Sequence, residues 1–405
     1  MNEELLLDIF SKAPNENDHW DFKAEWHRTR GELIRDIINF ANTPHHDDCY
    51  IILGVDDHDG HIVGVEDDEN KRNRQQLQDL LRTVQFASNG YPATDVDTFS
   101  IEGHNIDVVT IFDSDAVPYY LQSEYTKDKR LPSGVIYSRI NDSNTPISES
   151  TTDSRMQELW QKRLHIDRTI QERFKYYLGC ASQWSAVHDG QRSTFILNQD
   201  PDFVVEIVED IGNRNEYEAY SRSQFDHRIG WDEINLRFRG TLIHSNLVNY
   251  LDGARLQVCS PISGVISNQL LRRGSSLYYF YTPERWEYVL TEFLLARQHT
   301  DMGSADGVDM AMMQLRHDTV WYQSQSEREA AEEYLKKHWP DASEITPSDE
   351  EVENYAKSSL RWVDRKQVPM DKDEARVILE EFLLGQYLNQ CVLPAIRGEV
   401  VAKPN

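Results

Sequence analysis

Cys49-Tyr50-Ile51-Ile52-Leu53-Gly54-Val55 is a nearly continuous apolar run that stops at a glycine and a valine. A strand with one wet face alternates apolar and polar side chains, so an unbroken run of this length predicts a strand buried on both faces. Its neighbours must then supply two covering layers. Upstream, Gly31–Asn42 repeats apolar residues at helical spacing: Leu33, Ile34, Ile37, Ile38 and Ala41 form one stripe, and Pro44 lies just past the end. Before that, Trp20-Asp21-Phe22-Lys23 alternates like a short strand. Leu5, Leu6, Ile9 and Phe10 share one face of a short helix that Pro14 ends. Downstream, Asp59-Gly60 is a hairpin turn signal leading into His61-Ile62-Val63-Gly64-Val65. A helix is expected over Asn70–Phe86, with Leu77, Leu80, Leu81 and Val84 inside, then strands near 97–101, 105–112 and 134–139.

Residues 141–154 are rich in Ser, Thr, Asn and Asp and mark a domain boundary. Arg155–Leu178 reads as one long amphipathic helix leading away from it. Beyond, strands are expected at 193–208, 233–247, 254–259 and 277–281, and helices at 284–297, 325–338, 348–360 and 372–390. The fold class is α+β in both halves, with regions 1–155, 156–300 (α+β) and 301–405 (mainly helical). No solenoid-type repeat is present.

The chain has 405 residues, with 42 Lys+Arg against 69 Asp+Glu and a net charge of −27. This balance argues against a non-specific nucleic-acid binder, most of which are basic: an acidic chain must localise its positive charge, or use a metal ion to meet the phosphate. No apolar run approaches the roughly 20 residues that span a bilayer, and the start, Met1-Asn2-Glu3-Glu4, lacks the basic stretch of a signal peptide. Cys49, Cys180, Cys259 and Cys391 are far apart, without C-x-x-C spacing, which fits reduced thiols in a cytoplasmic protein. No G-x-x-x-x-G-K-[ST] loop is present to cradle a nucleotide.

Three acids stand out. Glu16 and Asp21 flank the bend into the first strand, and Asp57 follows the apolar strand. If the two strands are neighbours, their ends gather three carboxylates, a costly cluster without a cation. Mg²⁺ or Mn²⁺, hard ions that prefer oxygen ligands, suits such a group and could activate water against a phosphodiester. Lys23 falls on the same side of its strand as Asp21, where it could meet a phosphate. Arg28, Arg30, Arg35, Lys71, Arg72 and Arg74, with Arg139 beside Tyr137, form the candidate nucleic-acid surface.

Taken in order, Glu16-x-x-x-x-Asp21-Phe22-Lys23, Phe40-Ala41-Asn42-Thr43, Ile52-Leu53-Gly54-Val55-Asp56-Asp57-x-x-Gly60-x-Ile62-x-Gly64-Val65, Val117-Pro118-Tyr119, Ile136-Tyr137-Ser138-Arg139 and Asn144-Thr145-Pro146 resemble the AlbA-like domain of Schlafen proteins, over residues 1 to about 165. The resemblance implies a metal-dependent endoribonuclease acting on structured RNA such as tRNA, with Glu16, Asp21 and Asp57 as catalytic metal ligands. It also implies a toxin-like or anti-phage role and a two-lobed clamp that a homodimer could complete. Two departures stand out. Asp21 replaces the family's usual Glu, and Pro44-His45-His46-Asp47-Asp48 replaces its Gly-Gly, putting further metal-capable groups on a loop. The alternatives are a non-catalytic nucleic-acid-binding regulator, or a sensing protein whose C-terminal half binds a protein partner.

Overall fold

The computed structural model describes residues 3–87, 90–189, 192–209, 218–224, 230–251, 256–267, 275–302, 306–363 and 366–398. The chain divides into two compact units, Met1–Thr169 and Ile170–Asn405.

In the first unit, α1 (Glu3–Phe10) precedes β1 (Trp20–Lys23), α2 (Arg30–Ala41), β2 (Cys49–Leu53), α3 (Arg74–Arg82), β3 (Thr94–Ile101) and β4 (His104–Ile111). The sheet order is β1-β2-β4-β3. β1 and β2 run parallel, with Asp21 opposite Ile51 and Lys23 opposite Leu53; the other pairs are antiparallel. The apolar run of β2 is explained by this position. Ile51 and Leu53 face the core under α2 and α3, while Ile52 faces the core under α1 with Phe22, Ile106 and Val108. Each such aliphatic side chain contributes about 1.5–3 kcal/mol on burial. Thr29 caps α2, its hydroxyl accepting from Glu32 N.

Three local expectations change. Residues 61–65 form no strand: Val55 and Ile62 share one isolated bridge, and Val63 and Gly64 N–H groups both donate to Gly54 O. Gly54 and Gly64 have φ of 99° and 83°, which folds this loop onto itself rather than into a hairpin. The segment 134–139 is also not a strand. Only a small hairpin forms, between β5 (Arg139–Ile140) and β6 (Ser143–Asn144). Residues before it bond elsewhere, Ile136 N to Ser150 Oγ and Ser138 N to Thr145 Oγ1. The long helix breaks into α4 (Asp153–Arg163) and α5 (Ile170–Leu178), with His165 between them at φ 56°.

The second unit starts from α5. It contains β7 (Trp184–Asp189), β8 (Arg192–Leu197), β9 (Phe203–Glu209), β10 (Asp232–Phe238), β11 (Thr241–Leu251) and β12 (Leu256–Cys259), a six-stranded sheet in sequential order. Phe174, Trp184, Phe195, Phe203 and Phe293 fill its core. A second sheet joins β13 (Ile262–Ser267), β14 (Ser275–Tyr281) and β15 (Val320–Trp321); α6 (Trp286–Met302) and α7 (Asp306–Asp318) lie between β14 and β15 in sequence. The helix α7 has no counterpart in the sequence reading. The end of the chain carries α8 (Gln325–Lys337), α9 (Ala342–Ile345), α10 (Asp349–Ser358), the hairpin β16 (Leu360–Val363) and β17 (Lys366–Pro369), α11 (Lys372–Tyr387) and α12 (Leu393–Ile396). The architecture is α+β, with a helix-rich C-terminal region. Among the described residues, no helix is long and apolar enough to cross a membrane.

Candidate functional site

The site is built where β1 begins. Asn17 Oδ1 accepts from His19 N at 2.8 Å and Trp20 N at 3.1 Å, a side-chain turn that launches the strand. Glu16 folds back beside it, its Oε1 accepting from Phe22 N at 3.0 Å. Asp21 points to the same region and is 1% exposed. Two cations meet these acids. Arg139 Nη2 lies 2.8 Å from Glu16 Oε2 and 3.0 Å from Asp21 Oδ1, and Lys23 Nζ lies 2.6 Å from Asp21 Oδ2. Lys23 thus covers the Asp21 oxygen that the guanidinium does not reach.

Arg139 is held on every side. Its Nε donates to Asn17 O at 2.7 Å and its Nη1 to Asn144 Oδ1 at 3.2 Å, and its guanidinium stacks over Phe40. The end of α2 fixes this strand in place. Asn42 Nδ2 donates to Tyr119 O and Tyr137 O, its Oδ1 accepts from Tyr119 N, and Ser138 Oγ donates to Asn42 O. Behind Asn144 sits Asp36, which accepts from Asn144 Nδ2 at 3.1 Å and pairs with His27 Nε2 at 2.7 Å.

Charge follows geometry. Burial, then the hydrogen bond and charge of Asp21, push the Glu16 carboxyl up to about 7; the Phe22 N–H and Lys23 pull the other way. Burial works against the Lys23 ammonium, yet Asp21 outweighs it and holds Lys23 above its ordinary value. Burial alone would raise Asp36, but the His27 hydrogen bond and the charges of His27, Lys23 and Arg35 hold it below the usual carboxylate range.

The expected residues therefore separate. Glu16 and Asp21 come together on one guanidinium, and Lys23 pairs with Asp21 from the other side. Asp57 stands apart at the tip of the 54–64 loop, half exposed, with His58 4.0 Å away. Among the described residues, the groups of three or more metal-capable side chains whose ligand atoms close to within 4.8 Å lie elsewhere: Asp18–His19–His45 and Asp56–Asp59–His61. Arg139, expected on the surface, is 2% exposed and anchors the acids instead.

The remaining cations divide too. Arg30, Lys71 and Arg72 line one open pocket with Lys127, Glu69 and Asp79. Lys71 Nζ is 3.1 Å from buried Asp107, and Arg72 donates to Asn70 O at 2.9 Å. Arg28 pairs with Glu25, Arg35 with Asp36 and Arg74 with Asp95. The sequence reading missed Asn17, Asp36, His27 and Asn144. One signal was available: Arg35-Asp36 puts a charged residue inside the apolar stripe of α2, a position that burial tolerates only with a partner.

Among solved structures, the DIP2311 protein from Corynebacterium diphtheriae is similar over 37% of this chain and 32% of its own, at 19% identity and a TM-score of 0.24. This chain thus spans about a third of that protein. The N-terminal domain of a putative ATP-dependent DNA helicase RecG-related protein from Nitrosomonas europaea is similar over 36% of this chain and 92% of its own, at 16% identity and a TM-score of 0.23. No curated protein matches the chain. Residues 16–148, about a third of the chain, match the family model described as Schlafen, AlbA_2.

Proposed function

We propose that the N-terminal unit binds RNA, structured RNA such as tRNA in particular, and cleaves it with Mg²⁺ or Mn²⁺. The observation that carries this reading is the pairing of Glu16 and Asp21 on one buried guanidinium, with Lys23 Nζ 2.6 Å from the other Asp21 oxygen. Two adjacent carboxylates offer the oxygen ligands that a hard divalent cation prefers. When bound, such an ion polarises a phosphodiester and lowers the pKa of an attacking water. Glu16 and Asp21 would hold it, and Asp57 would join once its side chain turns inward from the loop tip.

The chain's own residues supply the rest. Arg139 fixes the angle between the two carboxylates. Lys23, which pairs with Asp21, would meet a phosphate oxygen brought to the two acids. Arg30 and Arg72, in the pocket beside the N-terminal end of α3, localise positive charge that the acidic chain lacks overall.

A second reading, nucleic-acid binding without chemistry, is favoured by one observation: Asp21 already has two cationic partners while Asp57 stands outside the cluster. The test is to incubate the full chain with total tRNA and with single-stranded DNA, in Mn²⁺, Mg²⁺ or EDTA, beside a Glu16→Ala/Asp57→Ala variant. Metal-dependent RNA fragments that the variant does not produce support cleavage. Intact RNA together with a salt-dependent, EDTA-insensitive gel shift supports the binder.

A further inference from the structure

The segment that carries Glu16 also carries a second set of donors, aimed the other way. Asp18 and His19 lie on the lead-in to β1, and His45 lies on the loop between α2 and β2. One ligand atom from each falls within 4.8 Å of the others. His19 Nε2 is 3.8 Å from Asp18 Oδ1, and the His19 and His45 rings stack at 4.0 Å between centroids and 18° between planes. Cys49 Sγ stands 3.9 Å from His45 Nε2.

Both backbones that present these groups are anchored. His19 N is held by Asn17 Oδ1 at 2.8 Å, and His19 O accepts from Tyr50 N at 2.8 Å. On the other side, the ammonium of buried Lys162 donates to Thr43 O at 3.1 Å and to His45 O, tying the loop to α4. The two backbones are thus held by hydrogen bonds, while the stacked imidazoles direct their in-plane lone pairs along near-parallel planes, so that closing on one ion turns a ring about its side-chain torsions. They are also reachable. Side chains of Asp18 and His19 are each about a third exposed, and His19 borders an open cleft of about 530 Å³ with Trp20, His46 and Tyr50.

The donor chemistry selects the ion. Two imidazoles and one carboxylate suit Zn²⁺ and its neighbours Co²⁺ and Ni²⁺, whereas Mg²⁺ prefers oxygen alone. Three protein ligands leave a fourth position for water, the arrangement of open rather than closed zinc sites. We propose that Asp18, His19 and His45 form a Zn²⁺-class metal site that clamps the lead-in of β1 to the α2–β2 loop. This site is distinct from the Glu16–Asp21 pair and does not depend on the cleavage reading.

The test uses the untagged full chain, stripped with EDTA and dialysed. Zn²⁺ is titrated against a chromophoric chelator, and Co²⁺ is followed by its visible d–d absorption. One equivalent should bind tightly, excess Mg²⁺ should not displace it, and Co²⁺ should give the intense bands of low coordination number. His19→Ala and His45→Ala should each weaken binding by at least roughly tenfold. His61→Ala, which removes the imidazole of the Asp56–Asp59–His61 group, should bind like the wild type. Circular dichroism melts without metal check that each variant folds, and Asp18→Asn provides a third variant should a histidine replacement unfold. Absence of Zn²⁺ uptake by the wild type would overturn the proposal. So would folded His19 and His45 variants that bind Zn²⁺ as the wild type does, or loss of binding only in His61→Ala.

Discussion

Arg139 donates to Glu16 across 123 residues of sequence, at 2.8 Å, from a position almost closed to solvent. The same nitrogen reaches Asp21 at 3.0 Å. A single buried guanidinium therefore decides how two acids sit, and the first predictions follow from removing it or titrating its partners.

Arg139→Leu leaves two largely buried carboxylates with Lys23 as their remaining cation. Breaking a buried pair by deleting one partner costs about 3–5 kcal/mol. Urea unfolding of the full chain should show the first unit losing that much. Arg139→Lys should recover only part of it, because an ammonium lacks the planar fork that reaches Asn17, Asn144 and both acids. An unchanged midpoint in Arg139→Leu would mean that the guanidinium does not hold the pair.

Glu16 gives a pH signature. Its folded pKa is raised from 4.5 to about 7 by burial and Asp21, so the folded state holds the proton more tightly than the unfolded chain. Its contribution to stability is full below 4.5 and is lost as pH rises through about 7. Glu16→Gln should flatten the stability profile across that window. An identical slope in wild type and variant between those pH values would show that Glu16 titrates normally.

Arg30 and Arg72 share the pocket beside α3. An Arg30→Ala/Arg72→Ala variant should bind RNA more weakly and lower the slope of log affinity against log salt by about one per lost phosphate contact. A filter-binding series at several salt concentrations reads this directly. An unaltered slope would move the interface elsewhere.

Lys162 is 1% exposed, and its ammonium bridges Thr43 O, His45 O and Asp113. Lys162→Met removes the tie and leaves Asp113 without that partner. Amide exchange over residues 43–48 should quicken while exchange in β2 stays slow. Unaltered exchange in the loop would show that other contacts hold it.

The legible parts of this fold are those that burial writes locally. β2 shows as an unbroken apolar run because both of its faces are covered, and α2 shows as an apolar stripe although Asp36 and Asn39 on its other side are buried too. Lys23 could be placed beside Asp21 because strand periodicity is two. Arg139 could not be placed: nothing near residue 139 signals an acid at residue 16, and an arginine beside an aromatic reads equally well as a surface contact. Asp57 could not be placed either. The end of a parallel strand next to β1 looks convergent, but Gly54 and Gly64 at positive φ return the loop on itself and leave Asp57 at its tip. The break between α4 and α5 is carried by His165 at positive φ, a backbone state that a polar residue does not announce.

The central claim is that Glu16 and Asp21 act together in metal-dependent RNA cleavage. The most direct measurement is the initial rate of tRNA cleavage in Mn²⁺ by the wild type, Glu16→Gln and Asp21→Asn, each of which keeps the side-chain shape and removes the charge. The account predicts fragments from the wild type that EDTA abolishes, and a loss on the order of 10²–10⁴-fold in each variant. Rates within a few-fold of the wild type in both folded variants would contradict it.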